Sequence, residues 1–178
     1  MQSESPANKG YGNSTTIAFD VTDASVAKLV LLALAETVGT RLREAKVRAE
    51  VIAVGIKSAD FSYRSHQMTL KNATNITSEI HKHACRLFNE LWDGAPIRHL
   101  GIHTSRIRDG VDMRQMDLFD DTDYEKLELR DAAVDRIRGR YGIDSVKRAA
   151  FIESPIDHMS GGISREKRSV DYTKVRVS

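Results

Sequence analysis

Between Ala24 and Ala45 the apolar residues Val26, Leu29, Val30, Leu34, Val38 and Leu42 recur at helical spacing and form one broad hydrophobic face. Asp23, immediately before this run, is the best-placed N-cap of the Asp20–Asp23 stretch, and Arg41, Arg43 and Lys46 suit a helix C-terminus. Ahead of it, Asn13 to Phe19 is rich in β-branched residues (Thr15, Thr16, Ile17) and reads as a strand. Behind it, Val47 to Ser58 alternates with a period of two. Ile52, Val54 and Ile56 share one side, while Val51, Ala53, Gly55 and Lys57 share the other. A turn near Ala59-Asp60 leads into a hairpin partner over Phe61–Lys71. Asn72, Asn75 and Thr77 mark the start of a second helix, in which Ile76, Ile80, Ala84, Leu87 and Leu91 line one face. Gly94 caps its end, with Pro96 just beyond, and Ile97–Ile107 is the last strand, with Leu100 and Ile102 inward.

The resulting order, β-α-β-β-α-β, predicts an α+β domain: a four-stranded antiparallel sheet with two helices on one face. The other face stays open. Alternation coats it with Val51, Ala53, Gly55 and Lys57 from one strand and His99, Gly101, His103 and Ser105 from the last. Small, polar or cationic positions of this kind let phosphates approach the backbone closely. No exposed aromatic row that would stack single-stranded bases is expected there. The predicted organisation is a linker at 1–12, the sheet domain at 13–108, an acidic linker at 109–122, a tail helix with a short following element at 123–152, and a flexible basic tail at 153–178.

Charge sharpens this division. Residues 1–110 carry 14 basic and 11 acidic side chains, residues 111–135 carry 3 and 9, and residues 136–178 carry 10 and 5. A mildly basic body, an acidic hinge and a basic tail point to polyanion contact at two places. The 40% hydrophobic and 29% charged content is that of a soluble globular protein. No membrane partner is expected, because the apolar run Val26–Val38 is short and interrupted by Lys28 and Glu36. The first residues do not resemble a signal peptide. A single cysteine, Cys85, excludes an intramolecular disulfide and suits a reducing cytoplasm.

The acidic segment contains one anomaly. In Gln115-Met116-Asp117-Leu118-Phe119 two large apolar residues sit side by side without periodic neighbours to bury them. An exposed apolar pair on a polar tether reads as a linear motif for another protein's pocket; the plainer alternative is a cap on a nearby helix. Metal chemistry finds no support. His81 and His83 diverge on a helix, and His99 and His103 stand roughly 13 Å apart on a strand. Asp117, Asp120, Asp121 and Asp123 lie in a segment too pliable for a two-metal cage. Cys85 and Trp92 read as packing residues. The tail helix over Asp123–Tyr141 carries a stripe of Leu127, Val134, Ile137 and Tyr141 that could dock on the domain, pair with another chain or cover a partner.

Several ordered motifs resemble one family. Lys9-Gly10-Tyr11-Gly12-Asn13-Ser14-Thr15-Thr16 is similar to the opening of the little-finger domain of Y-family translesion DNA polymerases, usually Lys-x-x-Gly before a Thr-containing strand. Ser58-Ala59-Asp60-Phe61 resembles its Tyr-Ser-Asp-Phe hairpin turn. Ile97-Arg98-His99-Leu100-Gly101-Ile102-His103-Thr104-Ser105 resembles its last strand, Ile-Arg-x-Leu-Gly-Val-x-x-Ser. Gln115 to Phe119 resembles the bacterial sliding-clamp-binding peptide. Ala133–Phe151, with Tyr141-Gly142 and Lys147-Arg148-Ala149, resembles the tail of several bacterial members, so the likeness spans roughly 9–151.

The resemblance implies a module that grips template-primer duplex DNA through its phosphates while a separate catalytic palm performs nucleotidyl transfer. Carried over by position, the DNA contacts fall on Ser14, Thr16, Lys57, His66, Gln67, Arg98, His99, His103, Ser105 and Arg106. The clamp contacts fall on Gln115, Met116, Asp117, Leu118 and Phe119. No cofactor is expected on this chain; Mg²⁺ would belong to the catalytic domain in the remainder of the polymerase. His66-Gln67-Met68-Thr69 departs from the family's Arg-Ser-Arg-Thr, which lowers the expected stand-alone affinity, and alternation does not settle whether Arg64 compensates. Two rivals remain open: an interaction module on a ferredoxin-like fold without direct DNA binding, and a small independent enzyme, for which no acid-base or metal constellation is found.

Overall fold

The computed structural model describes residues 10–110, 114–115 and 120–159. The strands are β1 (Gly10–Val21), β2 (Val47–Ser58), β3 (Tyr63–Thr74) and β4 (Ile97–Asp109); the helices are α1 (Ala24–Glu44), α2 (Thr77–Leu91) and α3 (Tyr124–Tyr141). All pairings are antiparallel and the strand order is β1-β4-β2-β3. Each half is a split β-α-β unit: β4 lies between β1 and β2, and β2 lies between β3 and β4. Neither half can close its sheet alone.

The period-two and helical patterns converge on one core. Ile52, Val54, Leu100 and Ile102 from the sheet and Val30, Leu34, Val38, Leu42, Ile80, Ala84 and Leu87 from the helices are all at most 1% exposed. Asp23 caps α1 as expected, accepting from the Ser25 N–H at 2.6 Å. Trp92 stacks on Phe88 with ring centroids 5.2 Å apart and donates to the Ala95 carbonyl at 2.8 Å, a packing role.

Several boundaries differ from expectation, beginning with β1, which already starts at Gly10 inside the expected 1–12 linker and runs on to Val21. Phe61 adopts a left-handed φ of 67° in the turn, so β3 starts only at Tyr63. At its far end β3 runs through Asn72 to Thr74 instead of yielding to a helix. The N-cap position of α2 is then Ile76, whose side chain cannot cap. The open amide of Thr77 is satisfied instead by Asp131 of α3, at 2.8 Å.

That bond belongs to a buried charged interface between α3 and the helical layer. Glu36, 2% exposed on α1, accepts from Arg138 at 2.6 Å and also binds Arg148. Burial pushes the Glu36 carboxyl upward, but Arg148 and Arg138 outweigh it and hold it below the usual range. Arg43 bonds Asp135 at 2.5 Å and Asp131 at 3.3 Å. Of the expected apolar stripe, Leu127, Val134 and Tyr141 are half-buried and only Ile137 is exposed, at 39%, but the fully buried residues of that helix are Asp131 and Arg138. The helix docks on its own domain. Packing also continues past residue 152, since Ile156, His158 and Met159 are buried where a flexible tail was expected.

Candidate nucleic-acid interface

The strand register sorts the side chains of the open face into four rows. They are Gly10–Ser105–Val51–Thr69, Gly12–His103–Ala53–Gln67, Ser14–Gly101–Gly55–Ser65 and Thr16–His99–Lys57–Tyr63, each read from β1 through β4 and β2 to β3. The two middle rows, apart from Gln67, line a shallow trough of about 710 Å³ together with Tyr63 and His99 of the last row. Among the described residues, none of the sixteen row members takes part in an ion pair. The hydroxyls, the Gln67 amide, the Lys57 ammonium and two imidazoles of this face have no acidic partner among the described residues.

Local geometry explains the composition. The His103 ring lies across β1, where a Cβ at Gly12 would come within 2.5 Å of Nδ1, so glycine is what admits the ring. At Gly55 a Cβ would meet the Tyr63 hydroxyl at 2.4 Å, so the tyrosine leans over β2 toward the trough. Thr16 Oγ1 stands 3.2 Å from His99 Nδ1, a cross-strand pair at the end of the face.

Of the residues expected to contact DNA, Ser14, Thr16, Lys57, Gln67, His99, His103 and Ser105 share this face. His66 does not: it registers with Val54 on the helix-covered side and lies 3.4 Å from Glu90. Adjacent strand residues point to opposite faces, so His66 and Gln67 cannot act together. Arg64 joins His66 on that side, paired with Asp93 at 2.6 Å. Arg98 lies beside a register shift at the end of β4 and is engaged by Asp20 at 3.3 Å. Arg106 is exposed but has a left-handed φ of 50°, which interrupts the alternation that would place it.

Tyr63, Ser65 and Thr69 belong to the face and were not anticipated. Counting by twos from Gln67 would have found them. Tyr63, 63% exposed, is the one aromatic among the sixteen row members and stands at an edge, so the face carries no aromatic row.

Of the clamp motif, Gln115 alone is described, and Met116, Asp117, Leu118 and Phe119 lie outside the described residues. The Asn72 amide accepts from the Gln115 N–H at 2.8 Å and donates to its carbonyl at 3.0 Å, standing in for a strand neighbour. Arg114 bonds Glu79 at 2.6 Å and lies 3.5 Å from the Tyr124 ring centroid, which leaves the exposed Gln115 beside a fixed point on the domain.

Among the described residues, Asp144, Asp157 and His158 form one grouping of potential metal ligands. His158 Nε2 is already within 2.8 Å of Asp144, and Asp157 is exposed. The arrangement reads as a buried histidine pinned by a carboxylate. No helix among the described residues is long and apolar enough to cross a membrane.

The architecture is that of a sheet domain carried by DNA polymerases. The Dbh DNA polymerase in a post-insertion binary complex superposes with a TM-score of 0.51 at 20% identity, over 61% of this chain and 32% of that one, which establishes likeness of fold. Residues 8–118 match the impB/mucB/samB family C-terminal domain, and the chain belongs to that family. DNA polymerase IV of Clostridium acetobutylicum is 37% identical over 145 residues, covering 82% of this chain and 36% of that protein. DNA polymerase IV 2 of Bacillus subtilis is 33% identical, covering 80% and 34%. The chain thus spans about a third of the length of these curated relatives.

Proposed function

We propose that this chain holds template-primer duplex DNA and recruits a sliding clamp on behalf of a translesion DNA polymerase, whose nucleotidyl transfer is carried out by the remainder of the enzyme. The observation that carries the reading is the open sheet face: four rows of small, polar and cationic residues, none committed to an internal ion pair. A face that meets phosphates at many weak points holds a duplex without reading its sequence, as a polymerase moving along any template requires. The motif Gln115–Phe119 supplies the second half of the proposal, tethering the module to the clamp.

Titration of a labelled duplex at increasing salt tests the first half. The affinity should fall linearly on a log-log plot, with a slope near 0.9 per phosphate neutralised. Lys57→Ala should reduce that slope by about one and weaken unrelated sequences equally. Binding that ignores salt would favour a protein-interaction face instead.

A further inference from the structure

The hairpin between β2 and β3 carries a feature that a phosphate grip does not use. Phe61 is 66% exposed at the tip, and its φ of 67° is a conformation that bulky residues rarely adopt. The turn is tightly determined around it. Its N–H donates to Ser58 O at 3.0 Å, Ser58 N–H donates to Ser62 O at 3.0 Å, and Ala59 N–H donates to Pro96 O at 2.9 Å. Asp60 is engaged within the turn, accepting from the Ser62 amide and hydroxyl at 2.9 and 2.7 Å. An exposed aromatic ring is therefore held in place at a local backbone cost. Such outliers persist where the surroundings over-determine them, and they concentrate at functional sites.

The surroundings of the ring are cationic. Lys57 Nζ lies 5.3 Å and the Arg98 guanidinium carbon 5.8 Å from its centroid, both within cation–π range. Asp20 partly offsets Arg98, at 3.3 Å. Lys57 belongs to the outermost row of the open face together with Thr16, His99 and Tyr63, and Tyr63 presents a second exposed ring. Rings interleaved with cations at the end of a phosphate-compatible trough are the elements of a single-strand platform, where bases stack and cations meet the backbone.

We infer that Phe61, supported by Tyr63, Lys57 and Arg98, stacks an unpaired nucleobase of the DNA single strand that continues beyond the duplex held on the open face. This rests on the DNA-holding reading above. The two cations favour a nucleotide over an apolar protein pocket, which would have to bury them.

Three ligands test it against the 178-residue chain: a blunt duplex, the same duplex with a short thymine overhang, and the same duplex with an abasic overhang of equal length. The wild type should prefer the thymine overhang to the abasic one by about fivefold or more, the effect of one stacked base. Phe61→Leu, as strained in the backbone as phenylalanine, should lose that preference while its blunt-duplex affinity and melting temperature stay unchanged. Phe61→Trp should keep the preference. Duplex binding with no distinction between the overhangs would overturn the inference and leave the DNA-holding reading intact. A preference that survives Phe61→Leu would assign stacking elsewhere and overturn it equally. No binding of any of the three DNAs would remove both readings and turn the exposed ring into a contact for another protein.

Discussion

The two sides of the sheet use the same residue types to opposite ends. On the helix-covered side Arg43, Arg138 and Arg148 are bound to Glu36, Asp131 and Asp135, and Arg64 and His66 lie beside Asp93 and Glu90. On the open side Lys57, His99 and His103 have no acidic partner among the described residues; opposite them stand Gly12 and Ala53 for His103, Thr16 for His99 and Tyr63 for Lys57. Charge placed beside a fixed counter-charge stabilises or orients the molecule, whereas charge left on a flat face of small residues is available to a ligand. A count of basic residues along the chain does not separate the two uses; the partner of each cation does.

The sharpest way to break the helix side is Glu36→Ala. Buried Arg138 and half-buried Arg148 would then lose their shared carboxylate, and removing one partner of a buried pair costs about 3–5 kcal/mol. Chemical denaturation should show a loss of that order, with the duplex affinity of the still-folded fraction unchanged. A stability change within about 0.5 kcal/mol, the range of ordinary surface substitutions, would mean that the network is not holding α3.

Outside this comparison stands the proposed clamp motif, Gln115–Phe119. Replacing Leu118 and Phe119 together by Ala should weaken binding to a bacterial sliding clamp roughly a hundredfold or more, as removal of paired hot-spot anchors does. Duplex affinity should stay constant. Clamp titration by calorimetry reads this directly, and unchanged clamp affinity would sink the motif assignment.

Acid should act on the helix side with a smaller effect. Burial lowers the pKa of His81, His83 and His158 below the ordinary 6.5, and in His158 it outweighs the opposing pull of Asp144. A base whose folded pKa is lowered takes up its proton first in the unfolded chain. Its contribution is therefore complete above about pH 6.5 and is lost as the pH falls below that value. The melting temperature should decline as the pH is lowered from 7.5 to 5.5, and a flat profile would contradict the burial of these rings.

Much of this was legible in the sequence because period-two and helical repeats report burial. Ile52, Val54 and Ile56, the α1 stripe and the N-cap at Asp23 all follow from local pattern. Alternation also identified most of the open face, and it fails where the backbone leaves the strand geometry, at Phe61, at Arg106 and at the register shift beside Arg98. The docking of α3 was illegible for a different reason. Leu127, Val134 and Tyr141 share the docked face and are half-buried, but its fully buried members are Asp131 and Arg138, which an apolar-periodicity reading passes over while it adds the exposed Ile137. The cap of α2 was hidden likewise, since Asp131 lies 54 positions from Thr77 in the chain. Interactions between distant charged residues leave no local signature.

The most direct test of the central claim sets the two sides against each other. Duplex binding at low salt would be measured for Lys57→Ala with His103→Ala, from the open face, beside Arg64→Ala with His66→Ala, from the helix-covered side of the same sheet. The account predicts about a tenfold loss for the first pair, two phosphate contacts at the lower end of ordinary net hydrogen-bond strength, and less than about twofold for the second. Equal losses, or a larger loss for the second pair, would contradict the assignment of the open face as the surface that holds DNA.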